Sequence, residues 1–139
     1  MSFREKSTWV LLAVTLLVYG WYFATTLGEA LGTGVPPIVD NVRLFGAVVV
    51  MVALSIVAHI MIAILSPKDA DTGDERDRLI ELRGDQRGGV LTSIALFSTL
   101  GLVMTGAAVF WIAHLALAGL VMSELVKAIS KLIDYRRGV

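Results

Sequence analysis

The chain contains no cysteine. Disulfide scaffolds, thiol redox chemistry and thiolate metal sites are therefore excluded. The four-span quinone-linked thiol oxidoreductases go with them. Charge is also scarce: 17% of residues are Asp, Glu, Lys or Arg, where a soluble domain has about 25%. The net charge is zero, which gives no footprint for a nucleic acid partner. Histidine occurs twice, as His59 and His114, and proline three times, at positions 36, 37 and 67. There is no phosphate loop, no Gly-x-Ser-x-Gly and no His-Glu-x-x-His. The segment Asp69-x-Asp71-x-Gly73-Asp74 starts like a calcium loop, but Asp74 stands where glycine is required and Ile80 where glutamate is. His59 and Met61 point to different helix faces, which weakens a copper site. No catalytic residues and no metal ligands are expected, and the chain is read as a non-enzyme.

What the chain has in excess is apolar sequence. It is 56% hydrophobic, against about 45–50% for a soluble domain, and its mean hydropathy is +0.77. Eleven of the 12 Lys and Arg residues fall in three short segments, 4–6, 68–87 and 127–137, with long apolar stretches between them. Short loops rich in Lys and Arg stay on the cytoplasmic side of a membrane. The pattern predicts an all-α integral membrane protein, one domain of 139 residues. The expected fold is a four-transmembrane-helix bundle in an inner membrane, with both termini and the middle loop cytoplasmic. A run of about 20 apolar residues crosses the hydrocarbon layer. The spans are expected at about 7–27, 41–65, 88–104 and 107–128, with an inner loop at 66–87. The basic start and apolar run at the N-terminus resemble a signal peptide. The run continues to Leu27 without a small-x-small cleavage site, so it is read as a retained span. The apolar block 88–123 is too long for one span, and Thr105–Gly106 is its best turn. The outer link 28–40 holds Pro36 and Pro37 and is not a regular helix. Trp9, Tyr19 to Phe23, and Phe110 with Trp111 suit aromatic belts.

The inner loop predicts a short amphipathic cytoplasmic helix between spans 2 and 3. Asp74 is its N-cap, Asp74 and Arg78 are an i,i+4 pair, and Leu79, Ile80 and Leu82 form an apolar patch. Asp74, Arg76, Arg78 and Arg83 are its candidate partner contacts. Each span carries small or polar residues at helical spacing. They include Thr8, Thr15, Tyr22 and Thr26 in the first, and Ser55, His59 and Ala63 in the second. Thr92, Ala95 and Thr99 follow in the third, and Ala113, Gly119 and Ser123 in the fourth. Such seams are packing surfaces between helices in lipid, or the wall of a polar path.

Ionisable groups inside spans are costly, and each is a functional candidate. These are His59, His114 and Glu124. Glu124, Lys127, Lys131 and Asp134 share one stripe of span 4; the stripe is either solvated at the inner surface, or it sets Glu124 at bundle depth beside Lys127 or His59. An imidazole is a possible axial ligand, so His59 and His114 are also candidate tetrapyrrole ligands, although no cofactor is the main expectation. If span 4 centres near Ala118, the rings differ in level by about 15 Å. If Glu124 marks the inner surface, they differ by about 5 Å and shared ligation stays open. Small four-span drug exporters need an acidic residue inside span 1; here Glu5 and Glu29 bracket that span instead.

Four features together carry a resemblance: Ala58-His59-Ile60; Asp74-Glu75-Arg76-Asp77-Arg78-Leu79-Ile80 with Arg83-Gly84-Asp85; Ser123-Glu124-Leu125-Val126-Lys127; and Tyr135-Arg136-Arg137-Gly138. With them the chain resembles a family of small uncharacterised four-span prokaryotic membrane proteins, over most of its length. The family has no established activity. The resemblance implies that residues 74–83, His59, Glu124 and Lys127 are the functional positions. The expected role is a self-associating bundle or a small accessory subunit of a larger membrane complex, with the lipid bilayer as its surroundings. One alternative is a proton-sensitive transporter or ion-conducting oligomer using His59 and Glu124. The other is a haem- or chlorophyll-type carrier ligated by His59 or His114.

Overall fold

In the computed structural model, apolar sequence free of proline forms four long α-helices, and the structure describes residues 3–65 and 75–137. They are α1 (Phe3–Thr33), α2 (Asn41–Leu65), α3 (Glu75–Met104) and α4 (Val109–Arg137). Each is long and apolar enough to cross a membrane. Both α1 and α3 rise about 45 Å at 1.5 Å per residue, well beyond a ~30 Å hydrocarbon layer. Their charged ends therefore project past any apolar slab that the middles would fill.

Local chemistry sets the ends. Gly34 adopts φ +66° directly after α1 and stops it, and Pro36 and Pro37 follow. Asp40 caps α2, accepting the Arg43 backbone N–H at 3.0 Å through Oδ1. At the α3–α4 turn, Gly106 has φ +68°. The Ala107 N–H reaches the Leu102 carbonyl and the Gly106 N–H the Val103 carbonyl, both at 3.1 Å. That is a Schellman stop, at the Thr105–Gly106 step expected from sequence.

The helices run antiparallel. Extensive packing joins α1 to α2, α1 to α4 and α3 to α4. The bundle thus reads α2–α1–α4–α3 in space, with α2 and α3 outermost. One end, here the terminal end, carries the start of α1 and the end of α4; the other, the turn end, carries residues 34–40 and 105–108. A core of Tyr22, Ala47, Leu117 and Val121 joins α1, α2 and α4, with Tyr19, Phe23 and Leu125 packed around it. Only 6% of the apolar windows of α2 and α3 is buried. Their outer faces present residues such as Val42, Ile64, Phe97 and Met104.

One expectation is corrected. No separate short amphipathic helix stands between the second and third spans among the described residues. Residues 75–83 are instead the first turns of α3, which continues unbroken to Met104. Asp74, its expected cap, lies outside the described residues. Glycines stand at 84, 88 and 89 within α3, although each costs a helix about 1 kcal/mol against alanine. Two of them are contact points. The aliphatic stem of Lys131 lies against Gly84 and that of Lys127 against Gly88, where a Cβ would collide with them. The expected apolar patch also divides: Ile80 is fully buried, while Leu79 and Leu82 face outward.

The α3–α4 contact is the tightest. A Cβ on Gly119 would overlap that of Ala95. Ser123 donates to the Gly88 carbonyl at 2.9 Å and accepts from Thr92 at 2.8 Å. Gly119→Ala is expected to lose about 1–3 kcal/mol to overpacking. Adding Ala95→Gly should return part of that loss, because the two sites touch. Loss of helicity on titrating the detergent-solubilised protein with SDS measures both.

Candidate functional site

The α1 helix supplies a hydroxyl to each histidine. Near the turn end, Tyr22 Oη lies 2.9 Å from His114 Nε2, and His114 Nδ1 lies 2.7 Å from the Phe110 carbonyl. A carbonyl only accepts, so Nδ1 carries the proton. In the neutral ring Nε2 is then the acceptor and the tyrosine donates. Tyr22 is 1% exposed and His114 4%. Phe110 stacks on the imidazole at 4.0 Å between centroids, and Phe23 meets it edge-on at 6.4 Å.

Near the terminal end the same arrangement recurs in more open form. His59 Nδ1 lies 2.7 Å from the Ser55 carbonyl, and its Nε2 lies 3.0 Å from Ser7 Oγ. The proton again sits on Nδ1 and the serine donates. Both rings thus bond the carbonyl four residues back and a hydroxyl on α1. Ser7 and Tyr22 stand about 22 Å apart along α1, so one tetrapyrrole does not span both rings. Axial ligation by either ring requires its α1 hydroxyl to leave Nε2 first.

Glu124 takes its bond from Lys127, at 2.8 Å, and no hydrogen bond or ion pair joins it to His59. The stripe on α4 is divided. Glu124 and Lys127 pair within the helix, whereas Lys131 reaches Asp85 of α3 at 3.1 Å and Asp134 takes Arg87 of α3 at 2.9 Å. Asp134 is buried while Arg87 is half exposed. Arg136 lies over the Trp9 ring at 5.8 Å. Of the expected partner contacts, Arg76 bonds the Tyr135 carbonyl at 3.3 Å, and Arg78 and Arg83 are exposed. Arg43, the one basic residue outside the three clusters, bonds Glu29 with both carboxylate oxygens within 3.0 Å and lies beside Asp40.

Two of the cavities beside α1 also adjoin α4. An apolar cleft of about 590 Å³ runs between α1 and α4, with His114 in its wall. A polar cavity of about 270 Å³ lies between α1, α2 and α4, bounded by Thr8, Ser55, Glu124, Lys127 and Lys131. Lys131, Ser7 and Tyr22 were not singled out as site residues from sequence. Their roles come from contacts between helices, which local spacing does not report. Among the described residues, no group of three His, Asp or Glu side chains is placed to hold a metal ion. Comparison with protein-family models, curated proteins and solved structures gives no match.

Removing the phenol by Tyr22→Phe leaves a buried Nε2 unpaired and is expected to cost about 1–2 kcal/mol. Ser7→Ala is expected to cost less than about 1 kcal/mol, because the exposed His59 ring, unlike buried His114, is not enclosed and can turn to another donor. Chemical denaturation of the two variants tests that order. Imidazole ¹⁵N shifts should report the Nδ1–H tautomer at both rings.

Proposed function

We propose that the chain is a non-enzymatic, four-span protein of a prokaryotic inner membrane, acting as a self-associating bundle or a small accessory subunit. One observation carries this reading. Both histidines and Ser123, polar groups within the helices, are bonded to other helices of the same chain, while α2 and α3 turn apolar faces outward. His114 bonds Tyr22, His59 bonds Ser7, and Ser123 bonds Gly88 and Thr92. In lipid, such hydrogen bonds and close glycine contacts are what associate helices, since apolar burial gives no drive there. The outward faces are then for lipid or for the helices of another subunit.

The antiparallel arrangement supports the orientation with both termini cytoplasmic. The described residues of all three basic clusters gather at the terminal end, and Arg43, the sole described basic residue near the turn end, is neutralised by Glu29. Exposed Arg78 and Arg83 then face the cytoplasm as contacts for a partner, within a family of small four-span proteins that share this loop. Native mass spectrometry after gentle extraction tests the reading. Whole multiples of the 15.0 kDa chain, or added mass from a second polypeptide, are expected. A lone chain carrying only lipid overturns it. Charge reversal at Arg78 and Arg83 should remove the second polypeptide where one is found.

The polar cavity favours a second reading, a proton-sensitive transporter or ion-conducting oligomer. Glu124 and Ser55 line it, and His59 bonds the Ser55 carbonyl. Flux in proteoliposomes that is unchanged in both His59→Ala and Glu124→Gln eliminates that mechanism.

A further inference from the structure

The polar cavity between α1, α2 and α4 has a division of chemistry that packing does not require. Glu124 and Ser55 are acceptors on its wall. The Ser55 hydroxyl already donates its proton to the Met51 carbonyl at 2.8 Å, so only its lone pairs remain. Lys127 and Lys131 are donors on the same wall. Lys127 gives one proton to Glu124 at 2.8 Å and Lys131 pairs with Asp85 at 3.1 Å, so each ammonium has protons left to offer. Their stems lie along the bare backbone at Gly88 and Gly84, which holds the two heads in place without a competing side chain.

A simple anion would meet Glu124, and a simple cation would meet two lysines. A ligand that carries both charges meets neither conflict. The volume of about 270 Å³ equals about nine waters at ~30 Å³ each. That is room for a small head group and less than a drug-sized ligand takes. The cavity also lies where α4 passes from apolar to charged sequence, at Glu124, Lys127 and Lys131.

We propose that this cavity binds a zwitterionic aminoalkyl phosphate, with its phosphate on Lys127 and Lys131 and its ammonium on Glu124. Two sources share that chemistry: the head group of an aminophospholipid, and a free aminoalkyl phosphate such as phosphoethanolamine. The lipid source rests on the membrane reading above, under which this level of α4 meets the head-group layer.

The test is native mass spectrometry of the full, delipidated chain in mild detergent. It is titrated with phosphatidylethanolamine, phosphatidylglycerol, phosphatidylcholine and soluble phosphoethanolamine. Phosphatidylglycerol lacks the ammonium, and phosphatidylcholine has no N–H to give Glu124. Phosphatidylethanolamine is expected to bind at least about tenfold more tightly than either, the order of one charge-assisted hydrogen bond. Glu124→Gln should erase that preference. Lys127→Met and Lys131→Met keep the apolar stems over the glycines and should weaken every phosphate ligand, with unchanged helicity confirming the fold. Binding of phosphoethanolamine that displaces the lipid supports the same site with a soluble ligand. Equal binding of the three lipids, or a preference untouched by all three variants, overturns the proposal. Alkaline carbonate extraction separates the two readings. Release of the chain from membranes removes the lipid source and the membrane reading, while the phosphoethanolamine titration still decides the cavity.

Discussion

The close approach of α3 and α4 is the constraint on which the other contacts depend. Gly119 admits Ala95, and Gly88 admits both the Ser123 hydroxyl and the Lys127 stem. With a larger side chain at any of these points the helices would separate. Lys127 and Lys131 would then lose the surface that fixes them. The cross-helix pairs Lys131–Asp85 and Arg87–Asp134 need the same short distance. The glycine-rich stretch 84–89 is the part of α3 that α4 requires.

On its other side α4 is held differently. Its contact with α1 is built from larger side chains, around Tyr22, Leu117 and Val121, with the Tyr22–His114 bond buried among them. The imidazole acts as a bridge. It ties its own helix through Nδ1 and a neighbouring helix through Nε2, so one side chain sets both rotamer and helix distance. His59 does the same for α2, with Ser7 in place of the tyrosine.

Much of the fold was legible in the residues. The clustering of Lys and Arg, the length of the apolar runs and the Thr105–Gly106 step all report properties local in sequence, and the four helices follow them closely. Residues 75–83 misled because periodicity alone does not show that Gly84 and Gly88 touch another helix. The candidate site was less legible. The pair Ala-His occurs at both Ala58-His59 and Ala113-His114, but the shared role of the two rings depends on hydroxyls 52 and 92 residues away. A single chain carries no signal for such pairs. The stripe from Glu124 to Asp134 was correctly placed on one face, yet half of its partners stand on α3.

The span of the Tyr22–His114 bond has a consequence for how the chain is made. A ribosome releases α1 and α2 well before it reaches His114, 92 residues after Tyr22. At about 5–20 residues per second, that interval lasts several seconds. Through it the first hairpin exists with its tyrosine lacking the acceptor that the finished protein supplies. The first hairpin must therefore wait, with its α4-facing side uncovered, until α4 has been made.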